Sequence, residues 1–212
     1  MESQKNYIIK KAGELFNLYG LKSVTMDDIS REAGISKKTL YIHFDSKKDL
    51  INYLLQQSKE QLEIRFKRIQ NQDIDSLEKL FEIYNEFTEF LNEVNTITYW
   101  SFKKHYPELH TNYNDFMGAL IDNVSVKVII EAQWDNHILS KINARVFSYI
   151  LRNSLIDFPE TTIIRNVKFD HQILQKEVFY YCLRSVATVS GLNKLETIKN
   201  KPQDIKMVSG AF

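Results

Sequence analysis

The chain has a single cysteine, three prolines and six glycines in 212 residues. Cys182 has no second thiol within the chain, so no internal disulfide framework is available and nothing points to a secreted scaffold. So little Gly and Pro is hard to reconcile with a turn-rich β-sandwich or barrel. Long apolar runs are also missing. The longest, Val178 to Leu183, is six residues and far short of a membrane span. Glu2, Lys5, Lys10, Lys11 and Glu14 interrupt the first twenty residues, so no signal-peptide core fits there. An excess of one charge is lacking too: 28 basic against 27 acidic side chains leave a net +1. That balance excludes a chain that coats nucleic acid or membrane by bulk charge, but not one with a local basic patch. Phosphate-loop, nucleotide-Gly, HExxH, GxSxG and paired-cysteine motifs are absent, which argues against an enzyme or a metal protein and calls for no cofactor. His105 and His110 are five apart across Pro107, a spacing that does not share a helical metal-binding face.

Hydrophobic residues make up 43% of the chain, enough for a core, and they recur at helical spacing. The expectation is an all-α, cytoplasmic protein. Ile8, Ile9, Ala12, Leu15, Phe16 and Tyr19 stripe a first helix, with Ser3 as N-cap and Gly20 as its left-handed stop. Thr25, with Asp28 three residues on, reads as a capping box for a short second helix. Gly34 ends that helix and Ser36 caps a third, running to about Phe44. Ser46 and Asp49 begin a long fourth helix, held to about Ile69. Asp75 caps a fifth, whose stripe is Leu80, Ile83, Tyr84, Phe87, Phe90, Leu91 and Val94. Further helices are predicted over about 96–106, 109–133, 142–157 and 170–190, with loops at 134–141 and 158–169. From Gly191 the periodicity fades, which predicts an irregular tail over 191–212.

Two short helices joined by a tight turn at Gly34-Ile35 form a helix-turn-helix, or on geometry alone an ordinary αα-hairpin. The surrounding residues decide between them. Leu15-Phe16, Tyr19-Gly20, the continuous run Val24 to Phe44 with its Ala33-Gly34 turn and Leu40-Tyr41-Ile42-His43-Phe44, then Ser46-Lys47-Lys48-Asp49-Leu50, resemble the DNA-binding domain of the TetR (tetracycline-repressor-like) family. The match runs from about residue 8 to 54. Ser30 stands where that family often has Ala, a change that conserves size. Residues 1–49 are thus expected to form a helix-turn-helix DNA-binding domain, and 50–212 a larger helical domain for effector binding and dimerisation.

The resemblance implies a homodimer that presents two third helices to a near-palindromic operator on double-stranded DNA, most simply as a repressor released by a small molecule. An activator or a ligand-independent regulator fits the same residues, and a helical protein-interaction module with a vestigial helix-turn-helix is the alternative from another class. The expected DNA-binding residues are Thr25, Ser36, Lys37, Thr39, Tyr41, His43 and Lys47. Lys37, near the start of the third helix, is placed to donate to guanine O6 and N7. Thr39 suits a thymine methyl or a phosphate, Tyr41, His43 and Lys47 suit the backbone, and Thr25 would aim the second helix's amides at a phosphate. Ser36 serves at least as a cap, and Lys38 reads as a solvated charge. Residues 31–48 carry five cations against two carboxylates, a local net of +3.

Ten aromatics fall between Phe81 and Phe116, where the overall 12% would place about four, so this stretch holds either a pocket or plain core. Candidate ligand-binding residues are Trp100, Tyr113, Phe116, Asp122, Trp134 and Phe147. Glu82, Glu86, Glu89 and Glu93 share the face opposite the fifth helix's apolar stripe and read as solvated. The 170–190 segment is apolar on two faces, as a helix at a dimer interface would be. Candidate interface residues are Val146, Ile150, Val178, Tyr181, Cys182, Ser185 and Val189.

Overall fold

A computed structural model describes residues 2–92, 96–156 and 171–200. The described residues form ten helices and no sheet: α1 (Glu2–Ser23), α2 (Met26–Glu32), α3 (Lys37–His43), α4 (Lys47–Gln70), α5 (Ser76–Asn92), α6 (Thr96–His105), α7 (Pro107–Trp134), α8 (Ala144–Ile156), α9 (His171–Val186) and α10 (Val189–Lys199). The expected fold class is what the chain adopts. Ser3 lies inside α1 rather than capping it. Gly20, at φ 75°, breaks the helical path as expected, although the helix is re-entered and continues to Ser23. The loop expected at 158–169 and Val94 of the α5 stripe lie outside the described residues.

The chain divides into two compact units, each built from more than one segment. Among the described residues, one comprises 2–64, 89–92 and 96–117; the other comprises 65–88, 118–156 and 171–200. α4 is one continuous helix through residue 50, and α6 joins the N-terminal helices by packing on α1. Thr98 Oγ1 donates to the Phe16 carbonyl at 2.6 Å, and the Lys22 amide donates to Ser101 Oγ at 3.1 Å. Phe102 of α6 sits in the same apolar cluster as Ile8, Phe16, Ile29, Leu40, Phe44 and Leu50. Burying such side chains stabilises a fold by about 1.5–3 kcal/mol each.

The other unit buries the α5 stripe against α9: Phe179 stacks on Tyr84 at 4.3 Å and meets Phe81 edge-on at 5.3 Å. Burial pushes the Tyr84 phenol well above its ordinary pKa. Asp75 caps α5 as expected, accepting the Leu77 amide at 2.9 Å. The turn between α7 and α8 falls at the expected 134–141 and pairs with the end of α9 through an isolated antiparallel bridge, Ile138 with Ala187.

The expected irregular tail is corrected in its first part. Residues 189–199 are α10, capped by Thr188, whose Oγ1 accepts the Gly191 amide at 3.0 Å. The helix belongs to this unit because Thr188 also donates to the Asn136 carbonyl, 52 positions away, and Leu195 is fully buried. The acidic face of α5 is not uniformly solvated either. Glu86 is largely covered and takes Arg65 at 3.1 Å and Arg68 at 3.4 Å.

Candidate nucleic-acid interface

The helix-turn-helix is built from its caps inward. Thr25 Oγ1 accepts the Asp28 amide at 3.2 Å, and Asp28 Oδ2 accepts the Thr25 amide at 2.9 Å and its hydroxyl at 2.6 Å. This is the complete capping box, and a cap of this kind contributes about 1 kcal/mol. The Thr25 hydroxyl and amide hold the Asp28 carboxyl below its ordinary pKa. At the turn, Gly34 takes φ 62° and its amide bonds the Arg31 carbonyl at 3.1 Å, while the Ile35 amide reaches the Ser30 carbonyl at 3.0 Å. A side chain at that positive φ is strained, so glycine is needed there. Ser36 caps α3 by accepting the Thr39 amide at 3.0 Å, and the two hydroxyls lie 2.8 Å apart. Ile29 and Leu40 are fully buried between the two helices and fix their crossing.

The polar side chains of this unit fall into distinct environments. Thr25 and Ser36 are exposed but engaged in capping. Tyr41 is 49% exposed, beside Ile42 at 66%. His43 Nε2 lies 3.3 Å from Gln4 Oε1 of α1. Lys37 reaches from α3 back to the Asp27 carboxylate of α2. Lys47 turns inward. Its ammonium donates to the Val24 carbonyl and lies 5.9 Å from the Phe16 ring centroid, and burial pushes its pKa down against the pull of Asp28. In this arrangement Lys47 is a strut between α4 and the start of α2.

The local charge is smaller than residues 31–48 suggested. Asp27 and Asp28 occupy the first turn of α2, so residues 27–48 carry five cations against four carboxylates. Arg31 lies 3.7 Å from Asp28, and Lys48 lies 3.6 Å from Glu108. The two α2 carboxylates also occupy the positive end of that short helix, which disfavours the phosphate expected beside Thr25.

The expected ligand-binding residues do not converge on one cavity within either unit. In the first unit Tyr113 bonds Ser58 at 3.1 Å, and Lys59 lies over the Phe116 ring at 4.6 Å and near the Tyr113 ring at 5.6 Å. Trp100 is exposed, edge-on to Tyr99, with Lys103 5.5 Å from its ring. In the second unit Asp122 accepts Ser148 at 3.1 Å and Arg152 at 3.2 Å, and Phe147 is buried. Trp134 ends α7 at 82% exposure and so lines no enclosed cavity. A cleft among the described residues of this unit is lined by none of these six. It lies among Leu80, Tyr84, Phe87, Ile121, Leu151 and Phe179, with Arg152 and Ser125 as polar groups, and its cavity of about 10 Å³ suits a single water. The sequence signal for it was the α5 stripe, which reads equally as core.

Among the expected interface residues, Val146 and Ile150 of α8 and Tyr181 of α9 are about half exposed or more, and Ser185 is also exposed. Val178 and Cys182 are half-buried, and burial pushes the Cys182 thiol up. Val189, 78% exposed, opens α10 rather than closing the α9 stripe.

A capped pair of short helices, joined at a positive-φ glycine and packed on a third helix, defines a helix-turn-helix protein of the all-α class. Residues 8–54 match the family model described as bacterial regulatory proteins, tetR family. Over those residues the chain is similar to that family of regulatory proteins. It is 28% identical over 120 residues to the biofilm operon icaADBC negative transcriptional regulator IcaR of Staphylococcus aureus, a match covering 57% of this chain and 61% of that protein. Over 82 residues it is 32% identical to the transcriptional repressor KstR2 of Mycolicibacterium smegmatis, covering 39% of this chain and 40% of KstR2. The chain thus spans less than two thirds of the curated relatives it matches. A TetR-family regulator from Marinobacter aquaeolei shares the fold along 93% of this chain and 97% of its own, at a TM-score of 0.71 and 16% identity.

Proposed function

We propose that this chain is a sequence-specific DNA-binding transcriptional repressor, acting as a homodimer on a near-palindromic operator and released by a small molecule. The observation that carries the reading is the doubly capped α2–α3 pair, which lies within the residues matched by the family model. IcaR and KstR2, to which the chain is similar, are a negative regulator and a repressor. α3 enters the major groove, with Lys37 reading base edges and Ser36, Thr39, Tyr41 and His43 meeting the backbone. Thr25 and Lys47 act at one remove, by holding the start of α2 in place. Two such helices in a dimer meet successive grooves about 34–36 Å apart.

The exposed apolar residues of α8 and α9 support a dimer formed on that face, through Val146, Ile150, Val178, Tyr181, Cys182 and Ser185, with Val189 at its edge. Tyr113 and Phe116 within the first unit, and Asp122 and Phe147 within the second, remain proposed ligand contacts, each in its own unit; Trp100 and Trp134, both exposed, are weaker choices. A tenfold release needs only about 1.4 kcal/mol of differential affinity between the two states.

The direct test is a gel shift of the full chain on the DNA upstream of its own gene and on a duplex selected by the chain from a random pool. An inverted repeat, bound as a dimer and weakened steeply by salt, is expected. Lys37→Ala should change sequence preference, at about 1–3 kcal/mol for one base. If no sequence emerges from the pool, the chain is not a specific regulator. Tyr181→Glu should yield monomers by sedimentation, and a surviving dimer places the interface elsewhere.

A further inference from the structure

We propose that Asp27 is a specificity-setting positioning residue. It holds the Lys37 ammonium across the helix-turn-helix and so restrains the recognition helix from binding phosphate without regard to sequence. The inference rests on the DNA-binding reading above.

The carboxylate of Asp27 is not needed to build α2. The cap is completed by Thr25 and Asp28, and Ser30 Oγ bonds the Asp27 backbone carbonyl at 2.9 Å. What the carboxylate does is accept a hydrogen bond from Lys37 Nζ, ten positions away, on side chains that are 49% and 62% exposed. Its neighbours give that one contact weight. Arg31 lies beside Asp28, Lys48 beside Glu108, and Lys47 turns inward to Val24. Within α3 the lysines are Lys37 and Lys38, both exposed, and Asp27 holds the one nearer the helix start.

The two kinds of DNA contact then respond differently to Asp27. An ammonium has three N–H groups, so at a guanine edge Lys37 can donate to O6 or N7 while still donating to Asp27. At a phosphate the same carboxylate is a like charge beside the acceptor, and it also reduces the counterion release that drives non-specific binding. An exposed pair of this kind is weak, so it does not prevent binding. It tilts the balance from backbone toward base.

The experiment is fluorescence anisotropy of the full chain on the pool-selected duplex and on a scrambled duplex of equal length, over a salt series. The proteins are the parent, Asp27→Asn, Asp27→Glu, Lys37→Ala and Asp27→Asn combined with Lys37→Ala, each first shown by circular dichroism to melt like the parent. Asp27→Asn should bind the scrambled duplex about fivefold tighter, with a salt slope steeper by about one. The selected duplex should change less, so the specificity ratio falls. Asp27→Glu should restore the parent ratio, and the effect of Asp27→Asn should shrink when Lys37 is absent. Equal tightening on both duplexes, the same gain with and without Lys37, or no change would each overturn the assignment. Failure of the parent to select any sequence would instead sink the DNA-binding reading itself.

Discussion

The helix-turn-helix and the α9–α10 junction use the same two residue types, a threonine cap and a glycine, but for different physical reasons. Thr25 caps its own helix and receives its reciprocal partner, Asp28, three residues on. Gly34 is glycine because its φ is 62°. Thr188 also caps its own helix, but its hydroxyl donates to Asn136, 52 positions back. Gly191 is glycine because of crowding: a Cβ there would stand 2.0 Å from the His137 carbonyl oxygen. The first set of constraints is local and the second spans the chain. Local constraints are visible in a string of residues; the long-range kind exists only once α7, α9 and α10 have met.

This difference can be broken experimentally. Gly191→Ala should be the most damaging change, because the obstacle is backbone and cannot swing aside. We expect a loss of about 3 kcal/mol in chemical denaturation, with α10 protection lost first in hydrogen exchange. A loss below ~1 kcal/mol would mean that α10 is not docked as described. Gly34→Ala should cost about 1–2 kcal/mol through its positive φ alone, since nothing lies within 4 Å of the added Cβ. Equal losses at the two glycines would erase the contrast.

A pH experiment sharpens the long-range side. Burial pushes the Asp75 carboxyl up, but the Leu77 amide, His137 at 2.9 Å and Lys194 outweigh it and hold the carboxyl below its ordinary value. A depressed carboxylate contributes stability above its unfolded pKa of about 4, and this is lost as pH falls through the folded value. Asp75→Asn should therefore be less stable than the parent at pH 7, with the gap closing in acid. A constant gap from pH 7 to 3 would show that charge is not the cause. The smallest effect is expected at Gly13 in α1, where an added Cβ meets nothing within 4 Å. Gly13→Ala should stabilise by roughly 0.5–1 kcal/mol through helix propensity.

Much of the N-terminal unit was legible because its signals are short in sequence: the apolar stripe of α1, the capping box at Thr25, the turn at Gly34 and the cap at Ser36. Charge was misjudged for an equally specific reason. A count over 31–48 omitted Asp27 and Asp28, which fold back toward Lys37 and Arg31. Lys47 was read as a free cation because nothing in its neighbourhood announces the Val24 carbonyl, 23 positions away. The aromatic excess between residues 81 and 116 marked burial but not function. Phe81 and Tyr84 pack on Phe179 as core, Trp100 faces outward, and counting rings does not distinguish the two.

By itself the sequence determined an all-α chain with a helix-turn-helix similar to that of the tetR family, since caps, turn glycine and helical period all act within a few residues. Tertiary structure alone decided that Lys47 turns inward, that residues 189–199 form a docked helix, and that Val146, Ile150 and Tyr181 are exposed among the described residues. Each of these depends on groups tens of positions apart, whose energies do not exist until the helices pack.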